Sequence, residues 1–152
     1  MKLAEALITR AGYNQRYHEL KARLFKSVKT QEGIDPPESP AELMEELQQL
    51  VQDREEVIRK INRTNVATTL KEGMTLADAI VKRDSLNLLR GLWKSAAEDA
   101  VPEFDRYSRS EIRQISTIDV AHYQKQVDRL SRELRELDTH IQAMNWTIDL
   151  AA

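Results

Sequence analysis

From Val120 to Ile148 the apolar residues fall at Val120, Tyr123, Val127, Leu130, Leu134, Leu137, Ile141, Met144 and Ile148, in steps of three and four without a miss. Val120, Val127, Leu134, Ile141 and Ile148 occupy one core position of a heptad, and Tyr123, Leu130, Leu137 and Met144 the other. The spacing predicts one long helix over about 118–149, about 47 Å at 1.5 Å per residue. Such a helix needs a surface for its seam, and this requirement constrains the fold more than any other feature of the 152 residues.

The rest of the chain has the composition to supply that surface. Charged residues make up 32% and aromatic residues 5%, with 4 glycines and 4 prolines, which is the balance of long helices rather than of a sheet protein. The fold class expected is mainly α: an antiparallel long-helix bundle or coiled coil in a single domain over 1–152. The connections 66–75 and 100–117 are where a short β-hairpin or strand pair would fall. Basic and acidic residues alternate to a net charge of −2, so bulk charge gives no reason to expect a nucleic-acid partner. Disulfides and thiolate chemistry are excluded by the absence of cysteine. Glu5 and Arg10 interrupt the opening segment where a secretory signal needs an apolar core, and no apolar run reaches membrane-spanning length. The expectation is therefore a cytoplasmic protein with no membrane partner.

Taken in order, the first helix is expected over about 2–30, with Leu3, Leu7, Tyr13, Tyr17, Leu20, Leu24 and Val28 inward and Gly12 its weak point. Gly33, Pro36 and Pro37 mark a linker. Ser39-Pro40-Ala41-Glu42 is the clearest helix start: a serine cap, proline at the first helical position and glutamate three residues after the cap. Helix two should run over about 40–65 on Leu43, Leu47, Leu50, Val57 and Ile61, with Arg54 in a core-like slot and Met44, Val51 and Ile58 widening the stripe for a second neighbour. Beyond it, β-branched Thr64, Val66, Thr68 and Thr69 favour an extended run around Lys71-Glu72-Gly73, and the rival is helix continuing to Lys71. Thr75 and Asp78 suit a cap for helix three, about 76–99, which would bury Leu76, Ile80, Leu86, Leu89, Trp93, Ala96 and Ala97. In 100–117, Ile112, Ile115 and Ile118 offer anchors for a helical turn or a strand, and Ser116-Thr117-Ile118-Asp119 resembles a capping box for helix four.

Candidate functional residues are sparse. Arg106, Ser108, Arg109, Ser110 and Arg113 could hold a phosphate or carboxylate in a loop, although Asp105 and Glu111 could equally tie the arginines into a structural network. Asn62, Thr64 and Asn65 on helix two, and Asn145, Trp146 and Thr147 on helix four, interrupt apolar faces. Such groups either fix the packing register or line a small-molecule pocket. His18, His122 and His140 lack the glutamate-then-histidine spacing of carboxylate-bridged metal bundles. Neither a metal nor a cofactor is expected, and no nucleophile and base stand at a catalytic spacing.

The opening Met1-Lys2-Leu3-Ala4-Glu5-Ala6-Leu7, with Ile61-Asn62-Arg63-Thr64-Asn65, Arg106-Tyr107-Ser108-Arg109-Ser110-Glu111-Ile112 and Asn145-Trp146-Thr147, resembles small bacterial proteins labelled septicolysin. The resemblance covers essentially the whole chain. It implies a helical protein that self-associates, with a hexamer as the assembly it points to, and the label itself suggests a lysin. The amphipathic segments carry mixed charge rather than a basic face, which argues against membrane insertion.

The reading that follows is a non-enzymatic homo-oligomer of unknown biochemical role. Helices one to three would bundle, and the longer helix four would overhang and zip onto another subunit through Val127, Leu130, Leu134, Leu137, Ile141 and Met144. The alternatives are an anion-binding module built on the 106–113 loop and a membrane lysin.

Overall fold

The computed structural model describes residues 1–70, 73–103 and 112–152. Among them lie four helices: α1 (Leu3–Ser27), α2 (Pro40–Ala67), α3 (Leu76–Asp99) and α4 (Val120–Thr147). The fold is mainly α, as the sequence pattern requires, and the expected helices match these spans to within a few residues at each end. Where one domain is expected over 1–152, the chain gathers into two compact units. One comprises Met1–Thr75 with Gln142–Ala152, and the other Leu76–Ile141. The pairing of helices thus differs from a bundle of the first three: α1 and α2 belong to one unit, whereas α3 shares the other with α4 up to Ile141.

In the first unit α1 and α2 form an antiparallel hairpin. Leu20, Leu43 and Leu47 are buried together, with Tyr17, Leu24 and Leu50 packed around them. Polar bonds follow the same register: Arg54 Nε donates to Asn14 Oδ1 at 2.6 Å, Arg16 Nη2 to Glu46 at 2.7 Å, and Arg23 grips the Glu38 carboxylate with Nε and Nη2. Arg54, placed by its spacing in a core-like slot, is therefore half-buried and spends its donor on α1 rather than filling the core. The Ser39 start is realised, with Ser39 Oγ accepting from Glu42 N–H at 3.4 Å and Pro40 opening the helix. At the far end α2 runs to Ala67, and the extended alternative then prevails over continued helix. Thr69 and Thr75 form an antiparallel bridge, and Leu70 N–H donates to Met74 O at 2.7 Å. Gly73, at φ +78°, supplies the left-handed residue of this small hairpin, whose Lys71 and Glu72 lie outside the described residues.

The same unit holds both ends of the chain. α4 stops at Thr147, short of the expected 149, because the following residues pair with residues 1–3 instead. Leu3 N–H donates to Ile148 O at 3.0 Å and Leu150 N–H to Met1 O at 2.9 Å, an antiparallel bridge centred on Lys2 and Asp149. Lys2 Nζ reaches Asp149 at 2.9 Å and Thr147 O at 3.0 Å.

In the second unit α3 and α4 run antiparallel, with Arg83 near Asp138 (3.7 Å) and the Trp93 ring edge-on to Tyr123 at 4.6 Å. Leu76, Ala79, Leu86 and Ala97 of α3, and Leu130 and Ile141 of α4, are its buried residues. Ile80 and Trp93 are half-buried, whereas Leu89 and Ala96, both expected inside, are exposed. The final helix is launched by Asp119 rather than by a box from Ser116: Asp119 Oδ1 accepts from His122 N–H at 3.2 Å, while Ser116 Oγ bonds only the backbone of Ile118. Residues 112–117 have no regular structure, and Ile112 and Ile115 are exposed, so neither anchors a helical turn.

Candidate interaction surfaces

The heptad seam that dominates the sequence turns inward within the single chain. Leu130 and Ile141 are buried, and Val127, Leu134, Leu137 and Met144 are half-buried. An amphipathic stripe packs on the nearest apolar surface, and over residues up to Ile141 that surface is α3. Nor is α4 distinguished by its length, because α2 also has 28 residues, against 24 for α3.

Of the two polar clusters, the structure buries one member each: Thr64 and Asn145. Thr64 Oγ1 donates to Lys60 O at 2.8 Å and accepts from Ala151 N–H at 2.9 Å, so it closes the helix behind it and holds the C-terminal segment in front. Arg63 adds a bond to Ala152 O at 3.2 Å. Asn65 is half-buried, and Asn62, Trp146 and Thr147 are exposed. This clasp between α2 and the chain end was legible only in part. The alternation Ile148-Asp149-Leu150 is a period-two signal, but three residues do not reveal their partner.

Of the proposed anion loop, Arg106, Ser108, Arg109 and Ser110 lie outside the described residues, and Arg113 is exposed. A second group of arginines, absent from the sequence reading, lines a cleft of ≈ 410 Å³ between α3 and α4, with Arg83, Arg90 and Arg135 on its walls. Arg83 is bonded to Asp84 at 3.0 Å and near Asp138, and Arg90 donates to Asn87 at 2.8 Å. The guanidinium groups of Arg83 and Arg90 thus already face protein acceptors. Among the described residues no group of three or more histidines, cysteines or carboxylates stands close enough to hold a metal ion. His122 sits edge-on to Trp93 and Tyr123, and His18 to Tyr17.

Shifted ionisation follows ion pairing at the surface. The bidentate hydrogen bond from Arg23 holds the Glu38 carboxyl below its usual range, and Arg23 is correspondingly raised. Lys2 lowers Asp149 through a hydrogen bond and its charge, with a smaller contribution from the chain's amino terminus. Both pairs tie segments together and neither lines a cavity.

What the surface does offer is apolar. In the first unit a groove of ≈ 600 Å³ opens between α1 and α2, lined by Tyr17, Leu24, Phe25, Met44 and Val51, with Lys21 over the Phe25 ring at 5.5 Å. Met44 and Val51, expected to meet a second neighbour, are exposed. In the second unit α3 exposes 66% of Val81, 72% of Leu88 and 68% of Leu92.

Residues 10–150 match the Family of unknown function (DUF6847). The chain belongs to this family. It is also similar to a protein of Corynebacterium diphtheriae whose crystal structure is described as that of a functionally unknown conserved protein. The two chains are 43% identical, the likeness covers 99% of each, and the TM-score is 0.93. No curated protein matches. Membership therefore carries a fold and no activity, and among the described residues of this member no helix is long and apolar enough to cross a membrane.

Proposed function

We propose that this protein is a non-enzymatic helical interaction module that assembles with itself. The observation that carries the reading is the exposed apolar row Val81, Leu88 and Leu92 on α3. Isolated apolar side chains on a surface are ordinary, but a row of them along one helix, each about two-thirds exposed, is surface that a partner covers. The neighbouring unit's groove, with Phe25, Met44 and Val51 exposed, is a second apolar area of the same kind.

Self-association is kept from the sequence, with its contact moved away from α4. The seam of α4 is occupied at Leu130 and Ile141, so the contact between copies falls elsewhere on the surface. A hexamer, which the resemblance implies, needs two different surface patches, because a two-fold contact alone closes at two copies and a head-to-tail contact that closes a ring joins two unlike patches. The two apolar areas are enough for that. Light scattering coupled to size exclusion across the micromolar range tests the reading: a mass above 17.6 kDa that rises with concentration is expected. A single species of the monomer mass at every concentration would refute it.

A further inference from the structure

α3 is apolar on two opposite faces. At 100° per residue, its buried residues Leu76, Ala79, Leu86 and Ala97 fall on one side of the helix, and Val81, Leu88 and Leu92 on the other. The outward row is continued by Ser85 and Ser95, giving Val81, Ser85, Leu88, Leu92, Ser95 in steps of four and three. That is a second heptad seam, with large and small residues arranged so that it fits its own reverse. A helix with apolar stripes on both sides has a neighbour on both sides, and among the described residues the chain supplies only one.

We infer that this stripe is a homodimer contact, in which α3 of one copy lies antiparallel on α3 of a second copy about a two-fold axis at Leu88. The inference rests on the self-association proposed above and specifies its surface. In this register Leu88 meets Leu88, Val81 lies opposite Ser95, and Ser85 lies opposite Leu92, so off the axis each large side chain meets a small one. Interdigitation of that kind lets two helices approach to 8–10 Å along their contact. A parallel pairing instead sets Ser85 on Ser85 and Ser95 on Ser95, which leaves gaps beside the leucine layers. The flanking residues agree with the antiparallel choice: Leu89, also exposed, meets Leu89, while Lys82 faces Ala96 and Asp84 faces Gly91. The outermost row, Asp78 opposite Asp99, is unfavourable and confines the contact to the middle turns of the helix. One helix face is smaller than the roughly 800 Å² per partner of a standard interface, which makes the contact a weak or transient one.

The natural chain has no cysteine, which makes single-cysteine crosslinking clean. Under mild oxidation Leu88→Cys should give a disulfide-linked dimer, because the two copies meet at the axis. Val81→Cys alone should not, since its two copies lie about 21 Å apart along the helices at 1.5 Å per residue. A mixture of Val81→Cys with Ser95→Cys should crosslink, and neither variant should do so alone. Beside these, Leu88→Glu should remain folded by circular dichroism, the side chain being exposed, and should fall in mass relative to the natural chain by light scattering. If Val81→Cys crosslinks to itself as readily as Leu88→Cys, the pairing is parallel and the inference fails. If the natural chain is an oligomer but Leu88→Glu is unchanged in mass and Leu88→Cys forms no dimer, the α3 contact is wrong while self-association stands. If the natural chain is a monomer throughout, both fail together.

Discussion

Replacing Thr64 by valine isolates the clasp that holds the end of the chain. The substitution keeps the branched shape of a residue that is 3% exposed and removes only its hydroxyl. On one side little is lost, because Lys60 O keeps the main-chain hydrogen bond that it receives within the helix. On the other, Ala151 N–H loses the acceptor it has at 2.9 Å. A fully buried amide left without a partner costs about 1–3 kcal/mol. Ala151 is half-buried, so the lower part of that range applies, and the expected destabilisation is about 1–2 kcal/mol. For a chain of this length that corresponds to a fall in Tm of roughly 2–8 °C. Hydrogen exchange supplies the local readout: amide protection should fall at Leu150 and Ala151, and less so in the α1–α2 core around Leu20. Thr64→Ser is the control. It keeps the hydroxyl, so protection at Ala151 should survive, and it loses a buried methyl worth about 0.8 kcal/mol. Should Thr64→Val match the natural chain in both Tm and exchange at Ala151, the hydroxyl does not hold the C-terminal segment and the reasoning fails.

Two further perturbations separate local from tertiary causes. Gly12 lies in the middle of α1 with open space where a Cβ would be, so Gly12→Ala should stabilise by about 1 kcal/mol in a denaturant titration. Gly73 has equal space but φ +78°, so Gly73→Ala should instead destabilise by about 1 kcal/mol. The sign difference is the test, since a space argument alone predicts the same outcome at both. Glu38 provides the pH dependence. Its carboxyl is lowered by Arg23, so its contribution is present above the ordinary glutamate value of about 4.3 and is lost as pH falls through the lowered folded value. The Tm difference between the natural chain and Glu38→Gln should therefore be constant near neutrality and shrink below about pH 4.3. A difference that grows on acidification would contradict the pairing.

The helices are legible in the amino-acid order alone, because periodicity, caps and breakers act over a few residues. Ser39-Pro40 starts α2 where its chemistry says it must, and Gly73 turns the chain after it. The heptad pattern of nine apolar positions over 120–148 was equally legible as a helix. What that pattern could not state is whose surface the seam meets, since an apolar stripe records that it will be buried and nothing about the partner. Folding answers this by placing α3 beside it, and among the described residues nothing covers α3's outer stripe. The same limit applies at the chain ends. Lys2 and Asp149 stand at opposite ends of the sequence, and only folding makes them a pair. Thr64 illustrates the division most directly: its β-branched neighbourhood predicted where the helix would weaken, but the hydrogen bond that its hydroxyl accepts from Ala151 exists only because the chain returns there.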